Sequence, residues 1–203
     1  VVDTGMDSDQ LNYLKEHPLE VEIITTGLST NFKGGTWGDD WQRNVKSKTV
    51  YLHDTVAKLE EPLLMLDADM MITSDIYPLL KLGGDLQVCV RPGNSVRYIG
   101  SYFFTINPSK TLPFIKEWRD RTQSSQGKGA HESPALSKTV EKYKSQLDIV
   151  EIEQDVVNRI EYPPLGKTII VHFKGTHLSD NIDESMNARL IERGWSEEIQ
   201  SYV

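Results

Sequence analysis

Pro62-Leu63-Leu64-Met65-Leu66-Asp67-Ala68-Asp69 is the stretch that decides the fold. A continuous apolar run of this length reads as a strand buried on both faces, and it stops abruptly at a pair of aspartates. In open α/β sheets, ligands bind outside the carboxyl ends of the strands. Strand periodicity sends residues two apart to the same side, so Asp67 and Asp69 are expected to lie together. Two close carboxylates repel each other unless a cation neutralises them. Oxygen ligands suit a hard ion such as Mg²⁺ or Mn²⁺. The spacing alone says little, because Asp7-Ser8-Asp9 has it too. That pair opens an expected helix, where carboxylates and serine cap free amides. The plain structural reading of Asp67-Ala68-Asp69 is a solvated strand-to-loop turn. The apolar strand before it favours a site.

Outward from this strand, elements alternate. Val1-Val2 reads as a first strand ending at Asp3-Thr4-Gly5, then Asp7 to Glu16 as a helix, then Val21 to Thr25 as a second strand. A polar loop with Lys33-Gly34-Gly35-Thr36-Trp37-Gly38 follows. Trp37 and Trp41 flank it, and both stacking on a base or sugar and ordinary packing are open to them. Val45, Leu52, Val56 and Leu59 suit one face of the next helix. After the decisive strand, Leu86 to Val90 and Ser101 to Ile106 read as strands. Leu112, Ile115 and Trp118 mark a helix, and another follows near Pro134. Leu147 to Val150 and Thr168 to Val171 read as late strands, and Ile182 to Val203 as helical. The alternation argues for an α/β, Rossmann-like fold with a mixed, mostly parallel sheet and helices on both faces.

The second informative run is Ile169-Ile170-Val171-His172-Phe173-Lys174-Gly175-Thr176-His177. A strand delivers His172 at its end, and Gly175 permits a left-handed turn or close backbone approach to a ligand. Imidazole ligates Mn²⁺ well beside carboxylates. A histidine of this kind, taken alone, is more often a core or turn residue. The pairing of a carboxylate pair with a histidine, each after an apolar strand, favours a metal.

Composition bounds the rest. The chain has 203 residues, room for one domain with a real core. Its formal net charge of −8 disfavours nucleic acid and anionic membrane as partners. A pyrophosphate ligand would therefore need locally gathered cations or a metal. Cys89 is the single cysteine, which excludes an internal disulfide and a cysteine-rich zinc site. With no apolar run of spanning length and no visible signal, a soluble, cytoplasmic protein is expected. Residues preceding Val1 are left open.

Leu-Asp-Ala-Asp after a buried strand, with His-Phe-x-Gly near the C-terminus, resembles retaining nucleotide-sugar glycosyltransferases of the GT-A fold. Families 34 and 8 are the closest in pattern, and small chlorella-virus transferases are a candidate closer resemblance. Gly100-Ser101-Tyr102-Phe103-Phe104 with the Asn-Pro-Ser turn and Trp118 is similar to family 34's Gly-Ser-Phe strand and following helix. Glu132-Ser133-Pro134-Ala135-Leu136 resembles its Asp-Gln-x-Ala-Leu segment. Lys46 and Lys48 lie about where it places a basic residue. The match runs in order over most of the chain and implies a single GT-A domain over residues 1–203.

The resemblance implies roles. Asp67, Asp69 and His172 would hold Mn²⁺ (or Mg²⁺) across the diphosphate of a UDP-sugar, with UDP-glucose favoured. Asp67 would also contact the donor's ribose or sugar. Asp3 and Thr4 would hold the nucleoside. Lys48, or less favourably Lys46, would touch sugar or phosphate, although a solvated helix face is the ordinary fate of such lysines. Glu132 or Ser133 would face the transferred sugar. Lys174, Gly175 and Arg43 are further candidates near the pyrophosphate. The acceptor would be a glycan or glycoprotein, and transfer would retain configuration. The chain departs from the pattern at Leu178, where the families carry a lysine, and at Ser133, where family 34 has glutamine. Lys174 or His177 would then assist the leaving phosphate.

Two other functions compete. Haloacid-dehalogenase-type phosphatases also place Asp-x-Asp after an apolar strand, but they want threonine or valine where Met71 stands, and usually on the first strand. A non-catalytic module that binds sugar nucleotides or glycans is the third reading, fed by the Leu178 and Ser133 departures.

Overall fold

The computed structural model describes residues 2–3, 12, 15–16, 24–25, 39–94, 96–127, 130–160 and 166–172. Strands β1 (Val2–Asp3) and β2 (Ile24–Thr25) pair in parallel. Residues 12, 15 and 16 are helical, within the stretch where a helix is expected. Next come α1 (Asp39–Leu59), β3 (Leu63–Leu66), β4 (Met70–Ile72), α2 (Tyr77–Lys81), β5 (Leu86–Val90) and β6 (Tyr98–Thr105). Then follow α3 (Pro108–Ser124), α4 (Glu132–Tyr143), β7 (Ile149–Glu153), α5 (Gln154–Val157) and β8 (Ile170–His172).

Four strands form a sheet in the order β3-β6-β5-β7. β6 is antiparallel to both neighbours, and β5 pairs with β7 in parallel. So β3, β5 and β7 run one way and present their carboxyl ends at one edge, with β6 reversed between them. The sheet is mixed, flanked by helices, as the alternation of elements suggests. Which strand is reversed, β6, is what alternation could not reveal.

Helices cover both faces. On one, Leu52 and Val56 of α1, Phe114, Ile115 and Trp118 of α3, and Leu136 and Val140 of α4 pack on Val88 and Phe103. Leu59 is 45% exposed, so the expected α1 face ends before it. On the other, Leu79 of α2 and Val157 of α5 join Cys89, Tyr102, Ile152 and Ile170. Among the described residues β3 is the outer strand of the four-stranded sheet, and its residues are half-buried. Its apolar run still serves two faces, because Leu63 and Met65 pack on the first cluster and Leu64 and Leu66 on the second. Burial pushes the Cys89 thiol up to about 12, so it stays protonated and inert.

One irregularity matters for function. The register of β5 on β6 jumps from Val88↔Phe103 to Cys89↔Ile99, leaving Gly100, Ser101 and Tyr102 without a partner on β5. This bulge swells β6 at the carboxyl edge, beside the end of β3. Bulges of this kind re-aim side chains next to active sites.

Candidate active site

Asp67 follows β3 directly, and its backbone N–H donates to Ser101 O in the bulge at 3.1 Å. The chain then turns, with Met70 N–H donating to Asp67 O at 3.1 Å. Asp67 and Asp69 are therefore gathered by a tight turn rather than by strand periodicity. β4 leaves the turn and pairs antiparallel with β8, setting Met70 opposite His172. That register delivers the imidazole to the turn, with His172 Nε2 3.1 Å from Asp69 Oδ1. Ligand atoms of Asp67, Asp69 and His172 all lie within 4.8 Å of one another. Two carboxylates and one imidazole make a donor set suited to Mn²⁺, and to Mg²⁺ less well.

The residues around the cluster fit such an ion. His172 is 4% exposed, and its Nδ1 lies 2.6 Å from Asn158 Oδ1. Asn158 Oδ1 also accepts from Ser101 Oγ at 2.9 Å. Metal-ligating histidines are usually held in this way through their second nitrogen. Two like charges on a half-buried turn carry a cost that one cation would offset. Burial, which outweighs the opposing pull of Lys48, holds the Asp67 carboxyl above the usual carboxylate range, and the Glu132 charge adds to it.

Lys48 reaches the same edge from the middle of α1. Its ammonium lies 2.7 Å from Asp67 Oδ1 and 3.1 Å from Glu132 Oε1. Burial works against this cation, but the two carboxylates outweigh it and hold its pKa above the ordinary lysine value. The same contact, with help from His131, overcomes burial at Glu132 and lowers its carboxyl to about 2. The group is therefore ionised at neutral pH. Trp118 fixes the segment, donating Nε1–H to Glu132 O at 2.8 Å. Glu132 Oε2 is buried, with His131 Nδ1 3.4 Å from it.

Residues 2–180 match the family model described as nucleotide-diphospho-sugar transferase. The chain belongs to this family. Among solved structures, a glycosyltransferase involved in the glycosylation of the major capsid of PBCV-1 shares the fold. The TM-score is 0.55 at 14% identity, over 84% of each chain. The glycosyltransferase GlyE of Streptococcus pneumoniae TIGR4 aligns with a TM-score of 0.48 at 16% identity, over 68% of this chain and 42% of that one. No curated protein matches the sequence. The chain is a sugar transferase with a GT-A-like fold, and the phosphatase reading falls away.

Among the sequence-predicted residues, the transferase brings together Asp67, Asp69, His172, Lys48 and Glu132. Ser133 is adjacent, but its hydroxyl is engaged, accepting from Gly100 N–H at 3.0 Å. Lys46 points elsewhere and donates to Ser125 O at 2.6 Å. Arg43 is exposed on α1. Asp3 ends β1, and nothing is described of its side chain. Thr4, Lys174, Gly175, His177, Leu178 and Trp37 lie outside the described residues, as does the expected helix from Ile182 onward. Among the described residues, no helix is long and apolar enough to cross a membrane.

Sequence reasoning missed Asn158 and the roles of Gly100 and Ser101. Ser101 and Asn158 are 57 positions apart, and no local pattern links them. Gly100, just before the strand expected from Ser101, lies inside β6, where a glycine marks a bulge or a close backbone approach.

Proposed function

We propose that this transferase moves a hexose or pentose from a UDP-sugar, with UDP-glucose favoured, to a glycan or glycoprotein acceptor, using one Mn²⁺ or Mg²⁺ ion. The observation that carries this reading is the Asp67, Asp69 and His172 cluster at the carboxyl edge of the sheet. The family assignment makes a nucleotide diphosphate the natural partner of a cation held there. Bound between these side chains, the ion would supply positive charge to the departing diphosphate, the kind of electrostatic help that is often the largest catalytic term.

The chain's own residues do the rest. Lys48 neutralises Asp67 and Glu132 with two of its three N–H donors, leaving one for a sugar or phosphate oxygen. Glu132, held beside Lys48, would face the transferred sugar. Asp67 has a second carboxylate oxygen for the donor's ribose or sugar. Asp3 and Thr4 would bind the nucleoside, and Lys174 and Gly175 the pyrophosphate. We assign the chain to the retaining group of families 34 and 8, as one domain over residues 1–203. In that chemistry the bond from the anomeric carbon to phosphate breaks as the acceptor oxygen bonds the same face. The acceptor's proton passes to the departing phosphate.

A thermal-shift panel of UDP-glucose, UDP-galactose and UDP-xylose, each with and without Mn²⁺, tests the donor. Stabilisation should grow with affinity and require the metal. A shift that is the same without metal, or none with any UDP-sugar, contradicts the reading. Donor turnover with NMR of the product's anomeric configuration tests the stereochemistry, and inversion refutes the assignment to the retaining families.

A further inference from the structure

Asn158 stands between two parts of the site that sequence keeps far apart. It follows α5, is 2% exposed, and its backbone N–H donates to Gln154 O at 2.8 Å. The next residue clamps β8, because Arg159 N–H donates to Ile170 O at 3.3 Å and Arg159 O accepts from His172 N–H at 2.7 Å. Backbone and side chain of this short segment thus hold His172 at two points. The side-chain oxygen faces Nδ1 at 2.6 Å, while Nε2 faces Asp69 at 3.1 Å. Ser101 in the β6 bulge holds the same oxygen at 2.9 Å.

We infer that Asn158 is a positioning residue for His172: its side-chain oxygen keeps a proton on Nδ1 and so turns a bare Nε2 lone pair toward Asp67 and Asp69. An imidazole can bind a cation only through an unprotonated nitrogen, and the hydrogen bond made by the other nitrogen chooses which one that is. Without an acceptor at Nδ1, the carboxylates would draw the ring proton to Nε2, where it blocks the metal. Ser101 serves the same end by fixing the amide, so the bulge and the metal-binding turn are linked through one oxygen. The inference rests on the metal reading above, but the proton on Nδ1 can be observed without any metal.

The test uses whole protein labelled with ¹⁵N-histidine, metal-free, at a pH where a free imidazole is neutral, and Mn²⁺ affinity read by the EPR signal of the unbound ion. Wild type and Asn158→Asp, which keeps an acceptor, should show Nδ1 protonated. Asn158→Ala should lose that preference and weaken Mn²⁺ binding roughly 10–100-fold. Asn158→Asp should stay within a few-fold of wild type, a rescue that a merely structural role for a buried amide would not give. If Asn158→Ala fails to fold, Ser101→Ala replaces it and should weaken binding a few-fold. An unprotonated Nδ1 in wild type, or variant affinities equal to wild type in the alanine series, overturns the inference. If wild type shows Nδ1 protonated but never binds Mn²⁺, the metal reading fails while the hold of Asn158 on the ring stands.

Discussion

Gly100 and Glu132 are packed so closely that a side chain at position 100 has no room: a Cβ there would sit 2.4 Å from Glu132 Cγ and 3.1 Å from Oε1. The same glycine donates its N–H to Ser133 Oγ at 3.0 Å. The bulge in β6 and the start of α4 are therefore fitted to one another, and the fit sets the distance from Glu132 to Lys48.

Gly100→Ala should push Glu132 off Lys48. Overpacking of this kind costs about 1–3 kcal/mol, read as a lower urea midpoint. Sugar transfer should fall at least about tenfold, because small misplacements of positioning groups cost up to about a hundredfold in rate. A variant with wild-type turnover would show that Glu132 need not sit where it does.

Lys48→Met removes the cation that Asp67 and Glu132 share. Two carboxylates, one of them in a residue 7% exposed, are left facing each other. Breaking a buried ion pair from one side is expected to destabilise by about 3–5 kcal/mol, and less here because Lys48 is partly exposed. Adding Glu132→Gln should recover part of the loss, so the double variant is more stable than the sum of the singles. Strict additivity in denaturant unfolding would contradict the coupling.

Asp85 gives a pH test away from the site. It accepts from Asp148 N–H at 3.0 Å and pairs with Lys110 at 3.0 Å, tying the starts of β5, α3 and β7 together. The backbone amide of Asp148, and then Lys110, hold its carboxyl below the usual value. A depressed pKa stabilises the fold above the unfolded-state value near ~3.9 and the contribution is lost as pH falls through the folded value. Asp85→Asn should therefore cost about 1–3 kcal/mol at pH 7. The gap to wild type should close as urea titrations move below pH 4. A gap independent of pH would refute the electrostatic account.

The legible parts of the molecule were those written in contiguous residues. β3 and its two aspartates could be read because apolar side chains serve both faces of one strand, and His172 because β8 repeats that pattern. Lys48 is a polar residue on a helix, and only the family resemblance separated it from Lys46, which turns to Ser125 instead. The reversed direction of β6 was hidden, because order along the chain does not give order across a sheet. A turn at Asp67-Ala68-Asp69 was among the readings, but that the turn itself, rather than strand periodicity, gathers the two carboxylates was not legible, since it depends on the backbone bonds to Ser101 and Met70. Asn158 was invisible for a further reason: its partners Ser101 and His172 come from distant strands, and a lone asparagine after a short helix reads as a cap.

Metal binding should depend on each member of the cluster. Asp69→Ala is expected to abolish Mn²⁺-dependent donor binding in calorimetry while leaving the unfolding free energy of the metal-free protein within about 1 kcal/mol of wild type, because the lost contact to His172 is offset by relief of the repulsion from Asp67. His172→Ala should weaken the metal without removing it. Unchanged Mn²⁺ titration in either variant would disprove that ligand's role.

The most direct measurement is an anomalous difference map at the manganese edge, from a crystal soaked with Mn²⁺ and UDP-glucose. One peak at coordination distance from Asp67, Asp69 and His172, with both donor phosphates on its far side, is the expected result. A map with no peak there, or with the ion bound elsewhere and the diphosphate away from the end of β3, would contradict the account.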